Sequence, residues 1–312
     1  MKKLFYVLLL IASTTAFSQN TSGFTTENIA VNSLLNGTLY APIKQNNTTK
    51  LVILIAGSGP TNRDGNQIGL TNNSLKLLAE SLVKNGIAVY SYDKRIFAQM
   101  AAGKLDEASL SFDNFIDDAK AVVLYFKNQK KYHSIIIAGH SEGALIGMIA
   151  ANGNADAYIS IAGAGRPIDE VLLEQIGKQA SFLKEEVEKN LATLKSGNTF
   201  ELKNQMLASI FRASVQPYMI SWIKYNPQYE IKKLQIPSLL INGDKDIQVS
   251  VQDAQLLQQV KPDAQLQIIP NMNHIFKVIQ GDDAENKASY TNPELPICPE
   301  LTSIITTFIR SL

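Results

Sequence analysis

The sequence predicts an α/β protein built on a doubly wound, mostly parallel sheet with an inserted helical cap. Three observations carry that expectation. Six short apolar runs alternate with helical windows. Most of those runs are apolar at consecutive positions, as strands covered by helices on both faces must be. One long interval, from Ile161 to Ser238, interrupts the alternation with helical, charge-rich sequence.

The first residues stand apart from this pattern. Lys2 and Lys3 precede an apolar run from Leu4 to Ala12, and Ala16-Phe17-Ser18 places small residues where a signal peptidase cuts, before Gln19. A charged start, a short apolar run and a small-residue site define a secretory signal peptide, too short to span a membrane. Residues 1–18 are therefore expected to be removed, leaving an exported chain, periplasmic or secreted, of residues 19–312. Next, apolar positions at Ile29, Val31, Leu39 and Tyr40 predict an antiparallel edge hairpin over residues 28–42, with Asn36-Gly37 as its two-residue turn. Strands follow at 51–56, 88–92, 134–138, 157–162, 238–242 and 264–269, and helices at 74–85, 112–129, 144–151, 251–260 and 299–311. Alternation of the two makes a parallel sheet with helices on both faces the economical arrangement. The interruption shows amphipathic spacing over 171–194 and further helical stretches over 200–212 and 215–225. A structureless loop of that length is foreign to a compact domain, so about 167–230 reads as a helical cap.

Composition narrows the function. With 45% hydrophobic residues the chain can bury a core, and 29 Lys+Arg against 28 Asp+Glu leave a net charge of +1 with no basic stripe for nucleic acid. No apolar run of membrane-spanning length occurs in the mature chain. A single cysteine, Cys298, excludes a disulfide scaffold and a zinc-cysteine site. Neither a metal-ligand cluster nor a phosphate-binding glycine loop is present, so no metal and no cofactor is expected. Oligomeric state is not written in these features.

The sharpest motif is Gly139-His140-Ser141-Glu142-Gly143, which closes an apolar strand and opens a helix. Glycines on either side let the chain reverse without a Cβ clash and lift the Ser141 hydroxyl above the sheet, where the helix directs its positive end. A serine hydroxyl is a weak nucleophile until a base takes its proton. Of three histidines, His140 is locked into the turn and His133 precedes its strand at the far end of the sheet. His274 follows the strand 264–269 at the carboxyl end, where parallel sheets build their sites, and is the expected base. A carboxylate must orient that base. Gly243-Asp244-Lys245-Asp246 offers two; Asp246 is preferred, because Ile247 and Val249 can anchor its loop, and Asp244 beside Lys245 reads as a solvated turn residue.

The order Ser141, Asp246, His274 on alternating strands and helices resembles the α/β-hydrolases across nearly the whole mature chain, and within them the exported bacterial serine esterases of the serine-aminopeptidase-like branch. The turn Gly57-Ser58-Gly59-Pro60, continuing to Arg63-Asp64, carries the branch resemblance. It implies that the backbone N–H groups of Ser58 and Glu142 hold the oxyanion, with Gly59 as the fallback for the first. Arg63 and Asp64 are expected to pair with neighbouring charges. Tyr92-Asp93-Lys94-Arg95 is similar to the family's Asp-x-Arg turn, but Ile96-Phe97-Ala98 stands where Gly-x-Gly usually follows; its charges read as a structural network. In the cap, Tyr218, Trp222 and Tyr225 share a helix face, with Met219 and Phe211 nearby; that face either packs on the core or walls a substrate pocket.

These readings converge on a serine hydrolase, expected to be a carboxylesterase on small or medium acyl esters. A peptidase on short peptides is the first rival, and would need an acidic subsite for a free amino terminus; Glu170, Glu174 and Glu230 are available. The second rival is a non-catalytic binding protein on the same scaffold.

Overall fold

The computed structural model of the chain describes residues 23–312; the expected signal peptide lies outside them. Eight strands form one sheet: β1 (Phe24–Ala30), β2 (Asn36–Pro42), β3 (Leu51–Ile55), β4 (Ala88–Tyr92), β5 (Ile135–His140), β6 (Ala157–Ile161), β7 (Ser238–Gly243) and β8 (Gln265–Ile269). The order is β1-β2-β4-β3-β5-β6-β7-β8. The hairpin β1–β2 joins antiparallel at one edge, and the six strands from β4 to β8 run parallel to one another.

Helices alternate with the strands as the apolar patterning requires: α1 (Ser74–Lys84), α2 (Arg95–Ala101), α3 (Phe112–Gln129), α4 (Glu142–Ala151), α5 (Ile168–Gln179), α6 (Lys184–Lys195), α7 (Ala208–Phe211), α8 (Gln216–Ile223), α9 (Pro227–Lys232), α10 (Val251–Val260), α11 (Asp283–Ser289) and α12 (Pro299–Ser311). One sheet face packs on α3 and α4, and the other on α1 and α12. Residues of β3, β4, β5, β6 and β7 are buried throughout, which is why these strands read as unbroken apolar runs.

The hairpin corrects one expectation. Asn36-Gly37 is not the turn but the start of β2. The reversal lies just before it, where the Asn32 side chain accepts hydrogen bonds from the Leu34 and Leu35 amides. Gly37 is needed for another reason: a Cβ there would lie 2.5 Å from the Tyr90 ring on β4.

Between β6 and β7, α5 to α9 build a helical insertion with a small core of its own around Val187, Leu191, Leu194, Leu207 and Phe211. Fully buried Gln216 ties this insertion together, accepting from the Phe200 amide and donating to the Phe200 and Phe211 carbonyls. Its first turn is clamped to the sheet domain by Arg166, which makes two bonds to Asp253 of α10 and one to Glu174 of α5. Among the described residues no helix is long and apolar enough to cross a membrane.

Lys277 is fully buried and its ammonium donates to the Leu295 carbonyl. Desolvation lowers its pKa to about 8, against about 10.4 in an unfolded chain. Between these values the folded protein has shed a proton that the unfolded chain still holds, so this group makes stability rise with pH from about 8 to about 10.4. Denaturant unfolding from pH 7.5 to 10 is expected to show that rise in the wild type, and Lys277→Met is expected to flatten it.

Candidate active site

The turn that carries Ser141, the candidate nucleophile, is built by steric exclusion. Ser141 adopts φ 55° and ψ −120°, a sparsely populated conformation for a non-glycine residue. Its amide donates to the Ile161 carbonyl at 3.0 Å and its carbonyl accepts from Ala144 at 2.9 Å, so both flanking peptides are held. Gly139 and Gly143 are required by contact rather than by dihedral angle. A Cβ on Gly139 would lie 2.0 Å from the Gly143 carbonyl oxygen, and one on Gly143 would lie 2.4 Å from that of Ile55. This lets α4 start directly against the end of β3, where the turn Gly57-Ser58-Gly59 begins.

The acid and base loops follow β7 and β8. His274, 3% exposed, bonds through Nδ1 to Asp246 Oδ2 at 2.7 Å. The other Asp246 oxygen accepts from the Gln248 and Val249 amides at 2.8 and 2.9 Å, which fixes the carboxylate from behind. Val249 is buried and anchors this loop; Ile247, expected to help, is exposed instead. Asp244 also departs from a purely solvated role, since its Oδ1 accepts from the Asn271 amide and ties the two loops together.

The base loop depends on Asn273, which is 1% exposed. Its oxygen accepts from the Ile275 and Lys277 amides, and its nitrogen donates to Asn286 and Ser289 of α11. His140 supports the same loop. Its Nε2 lies 2.9 Å from the His274 carbonyl oxygen, and its ring packs on those of His274 and Phe276. A carbonyl only accepts, so Nε2 carries the proton. Burial, reinforced by neighbouring His274, holds this imidazole neutral, well below the usual histidine range. His133 precedes β5, as read, and is exposed.

Ser58, Gly59, Ser141 and Glu142 line one cavity of about 540 Å³, together with Gln248 and Val249 of the acid loop. Tyr218, Met219 and Trp222 form part of its wall. The two roles weighed for the aromatic face are combined: Trp222 stacks on Phe112 with centroids 5.3 Å apart, Tyr218 meets Phe115 edge-on, and both still face the cavity. Tyr225 lies off the cavity, packing on Phe112 and donating its hydroxyl to Asp113, and Phe211 is buried in the insertion's own core. Glu170, Glu174 and Glu230 are not among the lining residues.

Of the charged residues in the β3 and β4 loops, Arg63 and Arg95 find carboxylates, whereas Asp64, expected to pair as well, is in none of the ion pairs among the described residues, and burial raises its pKa. Arg63 forks onto Asp93 and Arg95 onto Asp118. Between them Lys94, read as part of this network, turns inward to a buried contact with Glu142 Oε1 at 2.7 Å and lines the cavity. Neither this inward turn nor α2 was foreseen, nor was the support from α11. Asp282, which caps α11 by accepting from the Ala284 and Glu285 amides, was the available signal for that helix. Among the described residues no cluster of three or more His, Cys, Asp or Glu side chains could hold a metal.

A histidine after one parallel strand, its carboxylate after the neighbouring strand, and a serine on a strained strand-to-helix turn at the same end of the sheet define an α/β-hydrolase. The match of residues 71–277, more than half of the chain, to the serine aminopeptidase S33 family model places the protein in that family. The chain is similar to the esterase EstD of Thermotoga maritima, 29% identical over 282 residues, covering 86% of this chain and 63% of that protein's length. Two solved structures share the fold: Est1E of Butyrivibrio proteoclasticus (TM-score 0.56, 16% identity, 91% of this chain and 99% of that one) and the Pyrococcus furiosus esterase Pf2001 (TM-score 0.55, 17% identity, 92% and 91%).

The two loop aspartates are separable by experiment. Asp246→Asn reverses the hydrogen bond that fixes the His274 tautomer and is expected to slow phosphonylation by a fluorophosphonate, with loss of fluoride, about 10³–10⁴-fold. Asp244→Asn keeps an oxygen for the Asn271 amide and is expected to change the rate only a few-fold.

Proposed function

We propose that the protein is an exported serine hydrolase, a carboxylesterase that cleaves small or medium acyl esters through an acyl-enzyme on Ser141. In this reading Asp246 holds Nδ1 of His274, leaving Nε2 to take the Ser141 proton as the hydroxyl attacks the ester carbonyl. The Ser58 and Glu142 amides receive the developing oxyanion. His274 then protonates the leaving alcohol, and water, activated by the same nitrogen, releases the acid. Export rests on the pattern of residues 1–18 alone, and fractionation of producing cells tests it.

The observation that favours an ester over a peptide's free amino terminus is the state of the cavity's carboxylates. Two line it, Glu107 and Glu142, and each already holds a cation, Arg212 and Lys94 respectively. Among the described residues that line the cavity, none offers an unpaired carboxylate to an ammonium group. Most of the remaining wall is apolar, which suits an acyl chain. The esterase names of EstD, Est1E and Pf2001 agree with this reading.

Hydrolysis of p-nitrophenyl esters, set beside aminoacyl anilides, is the direct test. Turnover is expected on the esters, and Ser141→Ala is expected to remove all but the residual catalysis, about 10³–10⁴ over water, left by the oxyanion donors and binding. Near-wild-type ester cleavage by a folded Ser141→Ala protein contradicts the mechanism. A wild type inert to esters and to fluorophosphonate favours the binding-protein alternative.

The acyl pocket makes its own prediction. Trp222 is half-buried, so Trp222→Ala is expected to cost less than the roughly 3–5 kcal/mol of a fully buried tryptophan. Removing this wall is expected to move the kcat/KM optimum toward longer chains, each methylene being worth about 1–3 kcal/mol in a close-fitting pocket. The profile from acetyl to octanoyl esters, at a temperature where both proteins are folded, measures it. An unchanged profile assigns the ring to packing alone.

A further inference from the structure

Lys94 stands between β4 and α2 and is 5% exposed. Its neighbours Asp93 and Arg95 are pinned to Arg63 and Asp118, so its backbone is held from both sides. Its ammonium makes three hydrogen bonds, to the Gly57 carbonyl oxygen at 2.5 Å, the Gly59 carbonyl oxygen at 3.3 Å and Glu142 Oε1 at 2.7 Å, and lies 5.3 Å over the Phe115 ring. These partners straddle the two amides assigned to the oxyanion.

Within a planar trans peptide the C=O and N–H point in opposite directions. No peptide bond among the described residues is cis. Fixing the Gly57 carbonyl toward Lys94 therefore fixes the Ser58 N–H the other way. The next peptide is held independently: the Ser58 carbonyl accepts from the Thr61 hydroxyl at 2.8 Å and from Gln67 Nε2 at 3.0 Å. A cation on the far side of a peptide also polarises it and makes its N–H a stronger donor. Through Glu142, the same ammonium ties this turn to the first residue of α4, whose amide is the second donor. Burial beside the Glu142 carboxylate pushes the Tyr218 phenol well above its usual range, so it stays neutral.

Resting on the esterase reading above, we propose that Lys94 is a positioning residue of the oxyanion hole: one buried ammonium aims and polarises the Ser58 amide and ties it to the nucleophile turn through Glu142. The competing account is a structural ion pair that merely fills buried space. Lys94→Met with Glu142→Gln removes both charges together, so no lone buried charge remains. A structural pair predicts that this double variant keeps its kcat. The proposal predicts a fall in kcat of about 10²–10³, the usual loss for one oxyanion donor, with KM little changed and affinity for phenylboronic acid, which forms a tetrahedral adduct, weakened in parallel.

If the methionine form does not fold, Lys94→Gln with Glu142→Gln carries the test. A neutral donor preserves direction without charge, and a loss of about tenfold in kcat and in boronate affinity is expected. A folded double variant that turns over esters at the wild-type kcat, and binds the boronate as tightly, overturns the role of Lys94 and leaves the esterase reading intact. A wild type that cleaves no ester overturns both.

Discussion

The close approach of α4 to the end of β3 is the constraint on which the site depends. Gly143 lies against the carbonyl oxygens of Ile55 and Ala56, with no room for a Cβ. Only there can a helix begin immediately after β5 and leave Ser141 in its strained conformation. The strain persists because hydrogen bonds to Ile161 and Ala144 hold both adjoining peptides. The same contact brings the turn at Ser58 beside the nucleophile: a Cβ on Gly57 would lie 3.2 Å from that of Ser141. Two loops far apart in sequence thus meet through a glycine on each.

The acid and base reach this point by a different device. Their loops are anchored by buried Val249, Met272 and Phe276 and are shaped by side chains that substitute for backbone partners. Asp246 accepts two amides of its own loop, and Asn273 organises the turn after β8 while reaching into α11. His140 adds a bond from the nucleophile turn to the base's own backbone. Two neutral side chains, Asn273 and His140, thus set much of the geometry around the hydrogen bond between Asp246 and His274.

Much of this was legible in the residues. The strands of the parallel sheet and the helices α3, α10 and α12 announce themselves, because burial on both faces of a sheet, or along one helix stripe, leaves a periodic trace. Ser141, Asp246 and His274 could be placed because strand ends fix where a residue emerges. What could not be read were contacts that depend on direction. Asn36-Gly37 has the composition of a tight turn, yet the chain reverses earlier, because Asn32 supplies acceptors and Tyr90 needs the space over Gly37. Lys94, flanked by two other charges, reads as one more member of a structural charge network; only the fold shows it turned inward to Glu142. In the insertion, spacing alone could not tell whether Trp222 packs or lines a pocket, and a side chain at the rim of two surfaces does both.

The helical insertion keeps its apolar centre separate from the two that clothe the sheet, although Tyr218 and Trp222 touch both. The cavity wall thus draws on both: Val171, Ile210, Tyr218 and Met219 come from the insertion, and Ile96, Met100, Leu110, Phe115 and Leu145 from the sheet domain that also carries Ser141, Asp246 and His274. Under the proposed reading, exchanging side chains of α8 such as Met219 alters the cavity wall and leaves Ser141, Asp246 and His274 untouched. Under that reading the insertion's share of the wall, from Ile168 to Pro227, is the part of the cavity free to change shape without disturbing the strand ends that hold Ser141, Asp246 and His274.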